Sequence, residues 1–230
     1  MKLLKLLTIG IFLNVPFFVQ SEMAEVYSWK ANQGEGAEMI EAMVNAAEIH
    51  RSLGATVTIN QLDVGSQNQL DYVIRLDDVS QWGDFRDKLQ ASPEWNSFWA
   101  EVGENPSGDL ETSFAAINLD PTEKAANFSN SGVYGVWVWE VAPGKLPEVL
   151  QNFAQAKMIH ENLGARIEYY SEGLGLPNTL HYVAFFDDWS GMADFLNNAS
   201  TNQELLEFQA GVDSNAATLA RQLTGRTLPL

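Results

Sequence analysis

The chain has 230 residues, with 13 Lys and Arg against 30 Asp and Glu, a formal net charge of -17, 3 His and no Cys. A negative field of that size repels phosphate backbones and excludes nucleic acid as a partner. The lack of Cys excludes disulfides, a thiolate nucleophile and thiolate-bound metals, while 46% hydrophobic and 11% aromatic residues suffice for a buried core rather than a disordered chain.

Residues 1–21 have the order of a signal peptide. Lys2 and Lys5 precede an uncharged apolar run from Leu6 to Val19, and Val19-Gln20-Ser21 places small or modest side chains before a cut at Glu22. The run is shorter than the roughly 20 residues a spanning helix needs, and Pro16 interrupts it. A periplasmic or secreted protein is therefore expected, cleaved before Glu22 and left without a stable membrane anchor.

Beyond the leader the chain repeats itself. Displaced by about 110 positions, it aligns with itself without a gap over about 77 residues, with about 24 identities. Ile49-His50 meets Ile159-His160, Leu53-Gly54-Ala55 meets Leu163-Gly164-Ala165, and Asp77-Asp78 meets Asp187-Asp188. Two modules follow, 22–117 and 132–230, joined by a polar linker at 118–131 (NLDPTEKAANFSNS).

In chain order, Glu25–Ala31 alternates and is aromatic-rich, as a strand requires. Met39, Met43, Ala46, His50 and Leu53 then recur at helical spacing up to Gly54, a residue suited to a helix C-terminus. Thr56–Gln61 and Leu70–Leu76 read as strands, and Asp77-Asp78 ends the second and offers an N-cap. Trp82, Phe85 and Leu89 start a second helical region, which Ser92-Pro93-Glu94 restarts. Leu110–Ile117 closes the module as a fourth strand, and the same series recurs from Tyr134 to Leu223.

Each module is thus β-α-β-β-α-β, the ferredoxin-like split βαβ unit. Its helices cover one sheet face. The bare face, with Val, Trp and Phe, is costly in water at about 25 cal/mol per Å². Pairing two such sheets within the chain solves this, so the predicted fold class is α+β, two tandem ferredoxin-like modules forming an intrachain pseudo-dimeric α/β barrel. Here the sequence resembles the dimeric α/β-barrel superfamily, and Leu89–Val102 (LQASPEWNSFWAEV) is similar to the second-helix region of antibiotic-biosynthesis-monooxygenase-like domains. The resemblance implies a group that includes cofactor-independent oxygenases, haem-binding and haem-degrading proteins, and isomerases. It carries no catalytic motif, so no catalytic residue is assigned.

Candidate site residues come from strand alternation. Asp71, Val73 and Arg75, with His181, Val183 and Phe185 in the second module, are expected to face the barrel interior, while Tyr72, Ile74 and Leu76 pack under the helices. Asp71, Arg75, His181 and Phe185 would then line a ligand site, a few polar groups in an apolar wall. Lys30 and Glu140, at equivalent first-strand positions, are expected to pair across the pseudo-two-fold and to belong to the same ligand-binding set. His50 and His160, each in the last turn of a helix, are read as helix-end residues that bond free carbonyls. No metal and no cofactor is expected, since no ligand spacing supports one. The expected partner is a small apolar or aromatic molecule in the barrel interior. The alternatives are a cofactor-independent oxygenase acting on such a molecule and a non-catalytic interaction protein. The particle is expected to be a monomeric pseudo-dimer if the modules pair with each other, and a homodimer if they do not.

Overall fold

Apolar side chains at helical and alternating spacing place one face of every element in a core. A computed structural model describes residues 21–66, 68–129, 132–175 and 178–229; of the expected leader at 1–21, residues 1–20 lie outside them. The first module comprises β1 (Met23–Ala31), α1 (Gly36–Ser52), β2 (Thr56–Leu62), β3 (Gln69–Leu76), α2 (Val79–Ala91), α3 (Pro93–Glu104) and β4 (Gly108–Asn118). The second comprises β5 (Val133–Val141), α4 (Leu146–Asn162), β6 (Arg166–Leu174), β7 (Thr179–Phe186), α5 (Trp189–Thr201), α6 (Gln203–Gly211) and β8 (Ala217–Thr227).

Local signals act as the residue types require. Asp78 and Asp188 cap α2 and α5 by accepting from the Gln81 and Gly191 amides at 2.8 Å. Ser92 caps α3 with Pro93 at its first position. Gly54 and Gly164 end α1 and α4 at φ of +101° and +99°, where an L side chain would be strained.

The strands close into an antiparallel barrel in the order β1-β3-β2-β8-β5-β7-β6-β4. Each module contributes four strands, β4-β1-β3-β2 and β8-β5-β7-β6. The modules join through β2–β8, where Asn60 faces Thr227, and β4–β6, where Asn118 faces Tyr170. Closure leaves neither sheet an unpaired edge, and both modules of the barrel come from one chain. Three apolar clusters result: one between sheet and helices in each module, and one inside the barrel around Val73, Tyr134, Tyr170 and Phe185.

The segment read as a polar linker does more than connect. Asn118, its first residue, ends β4 and is fully buried. A 3-10 turn at Ala125–Phe128 delivers a fully buried Phe128 between two guanidinium groups, Arg75 at 4.2 Å and Arg166 at 4.5 Å from its ring centre. No described helix is long and apolar enough to cross a membrane.

Candidate functional site

Two spaces can hold a ligand. The first is the barrel interior, lined by Asp71, Arg75, His181 and Phe185 together with residues such as Ser28, Tyr134 and Tyr170. Alternation in β3 and β7 brings these four predicted residues to one cavity. Its volume, about 120 Å³, is well below the roughly 300–1,000 Å³ typical of small-molecule sites.

Long-range partners fill much of this interior. Arg75 donates to Glu22 at 2.6 Å and to the Tyr170 hydroxyl at 3.0 Å. Burial opposes the Arg75 cation, but Tyr170 and Glu22 outweigh it and hold it above the usual range. His181 pairs with Glu172 at 2.5 Å and stacks on Phe114 at 4.6 Å. Asp71 accepts from Ser28 at 2.5 Å; burial pushes its carboxyl up to about 6, against the Ser28 bond and the charges of Arg221 and His181. Lys30 and Glu140 do not meet: Lys30 lies 3.8 Å from Glu111, and Glu140 is exposed. Both sit at a strand end, where solvent screens them.

The second space lies outside the barrel, between the first module's sheet and helices. It has a volume of about 580 Å³, within the usual range for ligand sites. Trp29, Met39 and Met43 form much of its floor, and Trp95, Phe98 and Trp99 of α3 form its cover. None of the residues of α3 is fully buried, so the cover rests on the cavity rather than in the core. Trp95 stacks on Phe98 at 5.3 Å and meets Trp99 at 5.5 Å.

His50 and Tyr72 are at the back of this cavity. The His50 Nδ1 bonds the Tyr72 hydroxyl at 2.7 Å, and His160 repeats this with Tyr182 at 2.8 Å. The two imidazoles therefore tie helix to sheet through a phenol, where the sequence pattern pointed to helix carbonyls. Desolvation, helped by the Arg86 charge, lowers His50 to about 4, so its ring is neutral near pH 7.

Tyr27 and Arg86 line one rim of the cavity, and behind them lies a buried carboxylate. Glu25, buried at 5% exposure, accepts from Trp82 Nε1 at 2.5 Å and from the Tyr27 hydroxyl at 2.9 Å. Burial and the Glu25 charge push the Tyr27 phenol up to about 12. Arg86 stands over both, with Nη1 at 3.4 Å from Glu25 and 3.3 Å from Tyr27. Nothing in the sequence joins these four residues except their final contacts.

The sequence matches no family model and no curated protein. Among solved structures, the chain is similar to a candidate monooxygenase of Fusobacterium nucleatum, with TM-score 0.62 and 10% identity over 91% of this chain and 93% of that one. It is also similar to a candidate chlorite dismutase, with TM-score 0.59 and 10% identity over 91% and 95%. A candidate monooxygenase of Lactobacillus acidophilus gives TM-score 0.55 and 8% identity over 90% and 93%. The chain has the dimeric α/β-barrel fold. At such identity the likeness speaks for the barrel and its two modules, not for a reaction.

A barrel of this type raises the question of haem, for which His50 is the histidine facing the large cavity. Its Nε2 has no hydrogen-bond partner, yet it is closed off from solvent, with the Trp95 ring centre 4.5 Å from the imidazole and Phe85 at 5.5 Å. As placed, this nitrogen offers no open coordination position, and haem does not fit. The one grouping of three carboxylates among the described residues, Asp120, Glu123 and Glu168, is already met by Lys157, 3.3 Å from Asp120, and Arg166, 2.7 Å from Glu123.

Proposed function

We propose that this protein binds a flat, largely apolar small molecule between the sheet and helices of its first module. The carrying observation is the cavity of about 580 Å³ with three tryptophans and two methionines in its lining. Aromatic side chains give large contact area at low entropic cost. The barrel interior is the less favoured place, since its volume is a fraction of the larger cavity's.

The second module supplies the control. At the position of Met43 it carries Phe153, whose ring meets Tyr182 at 5.1 Å, Tyr169 at 5.9 Å and Trp139 at 6.4 Å. Met43→Phe should therefore fill the first cavity from within. Titrating tryptophan fluorescence with naphthalene-sized aromatics should give saturable quenching in the wild type and loss of about tenfold or more in affinity in Met43→Phe. Equal quenching in both proteins would reject this site.

The candidate monooxygenases among the solved neighbours support a second reading, oxidation of the bound aromatic by dioxygen; that it proceeds without a cofactor is what the sequence resemblance implies. One substrate methylene would become a carbonyl: the ring system loses two hydrogens, one oxygen atom enters the product and the other leaves as water. Oxygen uptake with an anthrone, the class for which another solved neighbour, an anthrone oxidase-like protein, is named, abolished by Met43→Phe, is the expected sign; no uptake would leave binding alone.

The leader pattern around Lys2, Lys5 and Leu6–Val19 supports export to the periplasm or beyond, and N-terminal sequencing of protein from the native host tests cleavage before Glu22. Barrel closure within one chain supports a monomer, to be checked by sedimentation.

A further inference from the structure

A duplicated chain shows which polar residues the fold can do without. Tyr27 and Arg86, which line the cavity, and Glu25 and Trp82 behind them correspond to Trp137, Leu196, Gly135 and Met192 in the second module. All four counterparts are apolar, and the Trp137 ring folds back over Gly135, where a side chain would collide with it. The second module packs without a charge here. In the first, a carboxylate is held at 5% exposure, an unfavourable placement unless the group is paired and put to use.

Glu25 is hydrogen-bonded without help from Arg86, because Trp82 and Tyr27 each occupy one of its oxygens. Arg86 in turn makes only long contacts, both through Nη1, and its Nη2 and Nε bond no described residue. Its side chain is 47% exposed, and it is the only Lys or Arg among the described residues lining the cavity. A guanidinium held on one side and free on the other is a planar fork, the geometry that receives a carboxylate through two parallel bonds. Asp87, beside it on the rim, is exposed and screened by solvent. His50 is neutral and adds no competing charge.

We infer that the ligand of this cavity is an aromatic carboxylate, with its ring system between Trp29 and the α3 aromatics and its carboxylate on Arg86. Glu25 and Tyr27 are positioning residues for that guanidinium. This rests on the cavity assignment made under Proposed function.

The test uses the whole chain with two isosteric probes, 2-naphthoate and its neutral amide, 2-naphthamide, titrated by tryptophan fluorescence and calorimetry. The wild type should bind 2-naphthoate about tenfold or more tightly than 2-naphthamide. Arg86→Gln should erase that difference and leave 2-naphthamide within about twofold, while Arg86→Lys should keep part of it. Arg86→Gln should lower the melting temperature modestly, because it takes away the cation beside the buried Glu25, and the two probes are compared on the same folded variant. Equal affinity for both probes in the wild type, or equal weakening of both by Arg86→Gln, overturns the carboxylate assignment. If those equal affinities are abolished by Met43→Phe, the cavity assignment survives. Binding of neither probe overturns both.

Discussion

The two modules share a backbone plan and differ in what they enclose. α1 and α4, β3 and β7, and α2 and α5 are offset by 110 residues at both ends, and β1 pairs β3 in the same register as β5 pairs β7. One module nevertheless holds a cavity beneath its helices, while the other packs rings into the equivalent space. Met43, Ile59 and Tyr27 of the first module correspond to Phe153, Tyr169 and Trp137 of the second. Above them, α3 covers with Trp95 and Trp99 without being buried, whereas the shorter α6 buries Leu205. Matching sheets and first helices with unequal side-chain volume, under covering helices of different length, show that the cavity depends on packing more than on the shared fold.

The largest test of this contrast is Phe153→Ala, which should cost about 3–5 kcal/mol in denaturant unfolding because it empties a filled core. Met43→Ala should cost about 2 kcal/mol, the low end for such truncations, because Met43 already borders open space. A reversed order would break the contrast. The ion pair Glu22–Arg75 exists in the first module only, its counterparts being Gly132 and Phe185. Glu22→Ala leaves a buried guanidinium without its carboxylate and should also cost about 3 kcal/mol.

Smaller effects sharpen the comparison further. Tyr72→Phe and Tyr182→Phe each remove the phenol that ties an imidazole to the sheet, at about 1 kcal/mol apiece. The loss should be greater for Tyr72, because His50 is 3% exposed and His160 is only half-buried. Asp71, whose counterpart is His181, gives the subtlest test. Its folded carboxyl is raised by burial from 3.8 to about 6. The native state thus binds the extra proton, and this group's contribution to stability is complete below pH 4 and lost as pH rises through 6. His50, lowered from 6.5 to about 4, acts in the opposite sense: its contribution is present above pH 6.5 and lost as pH falls through 4. Melting curves of Asp71→Asn against wild type from pH 3.5 to 7 should separate the two, the variant gaining relative stability as pH rises. A constant difference would remove Asp71 from this account.

Much of the fold was legible because it rests on short-range pattern. Helical spacing at Met39, Met43 and His50 predicted α1, and Ser92-Pro93 marked the break between α2 and α3. Alternation in Leu70–Leu76 also placed Asp71 and Arg75 inside the barrel and Tyr72 under the helices. The linker was less legible, since one Phe in a polar run carries no periodicity, yet Phe128 is fully buried. The partner of Arg75 was hidden as well, because Glu22 lies 53 residues away in sequence. The larger cavity was the least legible feature: each lining residue reads as ordinary core, and only the sum of their volumes leaves space.

The sequence by itself determined the duplication, the order of elements, which face of β3 and β7 turns inward, and the acidic composition, because these depend on spacing and composition along the chain. Tertiary structure alone decided where a ligand finds room and which charge stands at its edge. Both follow from side chains of β1, α1, α2 and α3 meeting across distances that no local pattern encodes.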